Sequence, residues 1–202
     1  TYTLERLPHI VFTEQIKQLA AEITAGITNP YEKVKAIYYW INNNIPWASA
    51  LEYSIFENIP EYVLKYRKGD CGMQTLLFMS LARVSGIPCK WQSGWMLHPG
   101  EVNLHDWCEV FYEGVGWVPL DQSFGLQNAN NEEVKEFYIS GIDGYRLIVN
   151  DDFSREFNPP KKYFRSEPID FQRGELEWSG GNIYFDQWSY KMNVTYLKQP
   201  EL

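Results

Sequence analysis

Cys71, His105 and Asp121 are a thiol, an imidazole and a carboxylate in an order that suits a nucleophile, its base and the group that orients the base. Cys71 stands in Lys68-Gly69-Asp70-Cys71-Gly72-Met73-Gln74 and opens the apolar run Thr75-Leu76-Leu77-Phe78-Met79-Ser80-Leu81-Ala82, which reads as a buried helix. A free thiol, with a pKa of about 8.5, is mostly protonated at neutral pH and a poor nucleophile. Two influences can lower it: the positive end of the helix dipole in the first turn, and a neighbouring imidazolium. Gly69 and Gly72 flank the thiol and leave room for a substrate backbone. The chemistry such a set performs is attack on an acyl carbon with a thioester left behind.

The elements that must place these residues are legible. Thr13 to Ala25 reads as an amphipathic helix with Ile16, Leu19, Ala20 and Ile23 on one stripe. Asn29-Pro30 starts a second helix that turns Val34, Ile37, Tyr38 and Ile41 inward and dissolves in Asn42-Asn43-Asn44. Ile59-Pro60 opens a short helix through Tyr66. Asp70 is the N-cap for the helix from Cys71 to about Ser85, and Gly86 with Pro88 stops it. From residue 90 the period changes to strands: Lys90–Leu97, Asp106–Tyr112 and Gly116–Leu120, the last two joined by a tight Glu113–Gly116 hairpin. His105 thus begins one strand and Asp121 ends the next, so the hairpin brings them within a residue or two of each other. Whether Cys71 meets them is not given by spacing.

Further on, Glu132–Phe137 reads as a helical turn. Tyr145–Val149, Leu176–Trp178, Asn182–Phe185 and Met192–Leu197 read as strands, with Gly180-Gly181 as a turn. Helices first and strands after predict an α+β fold, here one domain over residues 1–202. His9 and His98 have no context that sets them apart.

The same residues resemble the transglutaminase-like superfamily, whose core is related to papain-type cysteine proteases. The resemblance rests on Gly69-Asp70-Cys71, Arg83-Val84-Ser85-Gly86-Ile87-Pro88, His105-Asp106-Trp107-Cys108-Glu109-Val110 and Gly116-Trp117-Val118-Pro119-Leu120-Asp121. It spans about residues 30 to 125 and looks most like the bacterial members; a strand-rich extension over about 126 to 202 lies outside it. It implies the nucleophile helix packed on an antiparallel sheet, with Cys71 as nucleophile, His105 as general base and Asp121 as orienter. Trp47 would then line the cleft or donate its indole N–H to an oxyanion, although a core or wall aromatic is the simpler reading of that residue. Cys89 and Cys108 replace residues that are usually Ala or apolar. The charges of Arg165–Glu175 read as structural ion pairs.

The implied activity is a cysteine-dependent amide hydrolase or acyltransferase on peptide, protein or glycopeptide substrates. Hydrolysis is favoured because no calcium-binding loop or companion sandwich domain is recognisable. Two other readings stay open: a binding or assembly module that kept the fold, and a peptide:N-glycanase-like enzyme, whose eukaryotic forms carry CxxC zinc pairs lacking here.

Composition narrows the field. With 18 basic and 26 acidic residues the net charge is -8, which disfavours nucleic acid and anionic membranes as partners. No apolar run approaches the ~20 residues of a membrane span. Three cysteines without a CxxC pair predict a free thiol, and no metal or other cofactor is called for. Aromatics make up 16% of the chain, which suits a sheet-rich core or, alternatively, a groove for extended polymers. The start at Thr1, without an initiator Met or a signal peptide, suits a processed product or an excised domain, while the many aromatics and the lack of basic patches suit an exported protein.

Overall fold

The computed structural model describes residues 2–50 and 52–197. Helices α1 (Glu14–Ile23), α2 (Pro30–Asn44) and α3 (Ile59–Tyr66) precede α4 (Cys71–Val84). Strands β1 (Cys89–His98), β2 (Glu101–Tyr112) and β3 (Gly116–Leu120) follow, then α5 (Glu132–Lys135), β4 (Arg146–Asn150) and the pair β5 (Leu176–Trp178) and β6 (Gly181–Ile183). The main sheet is antiparallel in the order β3-β2-β1-β4. This is the expected α+β arrangement.

Each helix starts where its cap dictates. Thr13 accepts from the Ile16 N–H, Asn29 from Tyr31 and Glu32, Asn58 from Glu61, and Asp70 from Met73 at 3.1 Å. Helix α4 is buried from Gly72 to Arg83, apolar on every side because it runs through the middle of the molecule. Helices α1, α2 and α3 pack on it, and so do β1 and β2. The sheet turns Cys89, Trp91, Cys108, Val110 and Leu120 into this core. Cys89 and Cys108 are buried free thiols.

Arg83 joins the two layers. It lies at the end of α4 and donates to the Cys89 carbonyl through Nε (3.0 Å) and Nη2 (2.7 Å), and to Leu4 O through Nη1 (2.9 Å). Gly86 follows with φ +85°, the left-handed turn that sends the chain into β1.

Three details differ from the sequence expectations. Strand β2 begins at Glu101, so His105 lies within a strand rather than at its start. The alternation there is too weak to mark the edge, and the strand is extended by ten-residue pairing with β1. Met192–Leu197 forms no strand, because no partner strand pairs with it among the described residues. The Asn182–Phe185 strand is shifted to Gly181–Ile183, and Phe185–Gln187 is a 3-10 turn.

Segments beyond the motif region pack onto the same core, where Phe153 and Ile169 are fully buried. The Trp95 indole donates to Gln172 O at 2.7 Å. His9 is buried and accepts the Ile59 N–H on Nδ1 at 3.3 Å, tying the N-terminal segment to α3. Burial lowers its pKa from 6.5 to about 4, so folding favours the neutral ring. Its contribution to stability is therefore complete above pH 6.5 and lost as pH falls toward 4. We expect about 3 kcal/mol of acid destabilisation across that window, measured by urea unfolding. A His9→Gln variant should lack this slope.

Candidate active site

The β1–β2–β3 meander positions the imidazole and its carboxylate. On β2, His105 and Trp107 share one face, their rings stacked at 6.2 Å, and Trp107 is anchored by an indole bond to Gln92 at 2.8 Å. Phe124 closes on His105 edge-on at 5.1 Å. The ladder between β2 and β3 runs from Tyr112–Gly116 to Cys108–Leu120, and Asp121 follows as the first residue past the strand. His105 Nε2 lies 2.7 Å from Asp121 Oδ2. Such a partner selects the tautomer with the proton on Nε2 and leaves Nδ1 to accept one.

Asp121 is fully buried, and every partner of its carboxylate is a donor. Oδ1 accepts from Ser123 N, Ser123 Oγ and Phe124 N at 3.2–3.3 Å. Oδ2 accepts from His105 and from Arg146 Nη1, the latter at 2.8 Å. Burial alone would raise its pKa, but His105 and Arg146 outweigh it and hold the carboxyl below its ordinary value.

Arg146 was not singled out by the sequence. It sits on β4 with a buried side chain and also donates to Asp143 Oδ2 through Nε and Nη2, at 3.0 and 2.8 Å. Asp143 in turn meets His98 Nε2 at 2.9 Å, so His98 belongs to the same hydrogen-bonded chain. The one signal was a lone base in the apolar strand Tyr145–Val149. Gly94 permits the approach: a Cβ there would lie 1.9 Å from Leu147 O on β4.

Cys71 occupies the first position of α4 and is half-buried. It borders a cleft of about 330 Å³ together with His105, Trp47, Met96 and Phe124. Trp47 is brought there by a bridge to Gly69, in which Ala48 N donates to Gly69 O at 3.0 Å; its side chain is exposed. Among the described residues the thiol's hydrogen bond runs to Asp106 Oδ2, at 3.3 Å, and not to His105. Desolvation, then the nearby Asp106 and Asp70, push the thiol pKa well up.

Asp106 also escaped the sequence reading. Its signal was a carboxylate inside a strand of core residues, between His105 and Trp107. The space expected for substrate at Gly72 is taken up here: a Cβ on Gly72 would lie 2.6 Å from Asp106 Oδ2, and closer still to the Tyr53 hydroxyl.

Comparison with known proteins agrees with this architecture. YebA of Bacillus subtilis is 26% identical over 150 residues, 64% of this chain and 20% of its own length. A Haemophilus influenzae protein is 25% identical over 146 residues, 59% of this chain and 39% of its own. The chain thus spans less than half the length of these curated relatives. The crystal structure of the periplasmic domain of TgpA from Pseudomonas aeruginosa shares the fold, with a TM-score of 0.50 and 19% identity over 61% of this chain and 46% of that one. The family model of the transglutaminase-like superfamily matches residues 17–122, from α1 through the residue after Asp121. That match takes in the helix that Cys71 opens and the whole meander, and the chain belongs to the transglutaminase-like superfamily.

Proposed function

We propose that this chain is a cysteine-dependent amide hydrolase or acyltransferase acting on peptide, protein or glycopeptide amides, with Cys71, His105 and Asp121 as its catalytic residues. The carrying observation is the His105–Asp121 contact of 2.7 Å beside a cleft that Cys71 also lines.

In this reading the Cys71 proton passes to His105 Nδ1, and the thiolate attacks the amide carbonyl. Asp121 and Arg146 keep the ring oriented as it becomes imidazolium. The negative tetrahedral oxygen meets the Cys71 N–H, one of the first-turn N–H groups of α4 that take no intrahelical partner. The Trp47 indole is the second donor proposed. As the intermediate collapses, the C–N bond breaks, the amine leaves with the proton from His105, and a thioester remains on Cys71. Water resolves it to a carboxylic acid; a second amine resolves it to a new amide.

The test is mass-spectrometric mapping after incubation with a peptide carrying an electrophilic carbonyl. An adduct on Cys71 that is lost in His105→Ala is expected. Labelling that spares Cys71, or that is unchanged in His105→Ala, overturns the reading. Formation of the free carboxylic acid against incorporation of an added primary amine then separates hydrolysis from transfer, since both release the first amine.

A further inference from the structure

Asp106 faces the start of α4 on the opposite side of β2 from His105 and Trp107. It is buried, and its carboxyl is held from three sides. Cys71 Sγ bonds Oδ2 at 3.3 Å; Gln172 Nε2 donates to Oδ1 at 2.5 Å and to His105 O at 2.6 Å; and the Asp170 carboxyl lies in hydrogen-bonding contact. Asp170 is itself buried and bonded to Ser93, the residue opposite Asp106 in the β1–β2 ladder. Gln172 is pinned in turn by its carbonyl to the Trp95 indole. Two residues of the extension thus clamp the carboxyl that touches the sulfur.

We infer that Asp106, clamped by Asp170 and Gln172, is a positioning residue that takes the hydrogen bond of the resting Cys71 thiol and keeps the proton on sulfur while the carboxyl pair is charged. This rests on the reading of Cys71 as the nucleophile. Two carboxyls in contact inside the protein cannot both ionise readily, so they share one proton and carry one negative charge. That charge opposes a thiolate 3.3 Å away. Burial first, and Asp170 after it, raise Asp106 well above the ordinary carboxyl range. The groups that face Asp106 are Asp170 from the extension, Asp70 and Cys71 from the start of α4, and Tyr53 from the 3-10 turn before α3. Tyr53 donates to Asp70 Oδ1 at 2.5 Å, so it offers Asp106 no countercharge. Beyond Asp170 stand Glu167 and Arg165, and Arg165 is committed to Glu175 at 2.7 Å. When the pair becomes neutral, or the extension lifts, the thiol is released to give its proton to His105 Nδ1.

The experiment is the pH profile of Cys71 alkylation by iodoacetamide, read by peptide mass spectrometry on the whole chain. Asp106→Asn moves the charge away from the sulfur. It is expected to alkylate about tenfold faster near neutral pH, with the midpoint lowered by about one unit. Asp170→Asn leaves Asp106 without its proton-sharing partner, so suppression of alkylation should set in at lower pH than in the wild type. An Asp106→Asn profile that coincides with the wild type overturns the inference. Should that variant not fold, an Asp170→Asn profile coincident with the wild type does so instead. The outcomes separate from those of the proposed function. If Cys71 labelling depends on His105 but ignores Asp106, only the positioning role falls; if Cys71 is inert in every variant, the nucleophile reading falls as well.

Discussion

Asp121→Asn is expected to lower amide turnover by about 10³–10⁴-fold, read as kcat/KM. The reason is the donor-only environment of this carboxylate. Oδ1 meets two backbone N–H groups and a hydroxyl, and Oδ2 meets His105 and Arg146. An Asn amide placed toward Oδ1 faces the Ser123 and Phe124 N–H groups. Placed toward Oδ2 it faces the Arg146 guanidinium and forces His105 into the tautomer with the proton on Nδ1, which cannot then accept one from Cys71. Neither orientation supplies the negative charge that steadies an imidazolium.

The pH dependence carries a second signature. The folded Asp121 pKa lies below its unfolded value of about 3.9, so its contribution to stability is present above that value. It is lost as pH falls through the lower folded pKa. Urea titrations of the variant should lack this acid-side loss. A variant that retains wild-type turnover would remove Asp121 from the mechanism.

Arg146→Leu is expected to cost about 3–5 kcal/mol of stability, the usual scale for breaking a buried ion pair from one side. The guanidinium is shared by two carboxylates, Asp121 and Asp143, and is only 4% exposed. Its removal leaves Asp121 without a solvated alternative, with His105 as the remaining partner of Oδ2. The Asp121 pKa should therefore rise, and turnover should fall more at acid than at neutral pH. A urea midpoint within error of the wild type would refute the stability claim. A loss of turnover equal at all pH values would refute the link to Asp121.

Arg146 and Asp106 show where the sequence stopped short. The helix starts were legible because caps act within four residues: Thr13, Asn29 and Asp70 each bond their own first turn. The β2–β3 hairpin was legible for a similar reason, since a short turn sets the register and the register brings His105 toward Asp121. Gly86 and the Arg83-to-Pro88 segment fall in the same class. Each of these inferences joins residues that are close in the chain or linked by a single tight turn.

Arg146, Asp170 and Gln172 belong to a different class. Arg146 reaches Asp121 across 25 residues and Gln172 reaches Asp106 across 66; nothing in the sequence set Arg146 apart, and the charges of Arg165–Glu175 read as structural ion pairs. Only tertiary packing reveals that Arg146 lies beneath Phe124 and Trp107, that Asp170 is buried against Asp106, and that Gln172 bridges His105 and Asp106. Packing also decides that Gly72 makes room for Asp106 and Tyr53, not for substrate. By itself, then, the sequence determined the helix that starts at Cys71, the meander and the His105–Asp121 neighbourhood, because local caps and turns encode them. The tertiary structure alone decided which charges surround the Cys71 thiol, because desolvation and long-range carboxyl contacts exist only once the extension has closed on the core.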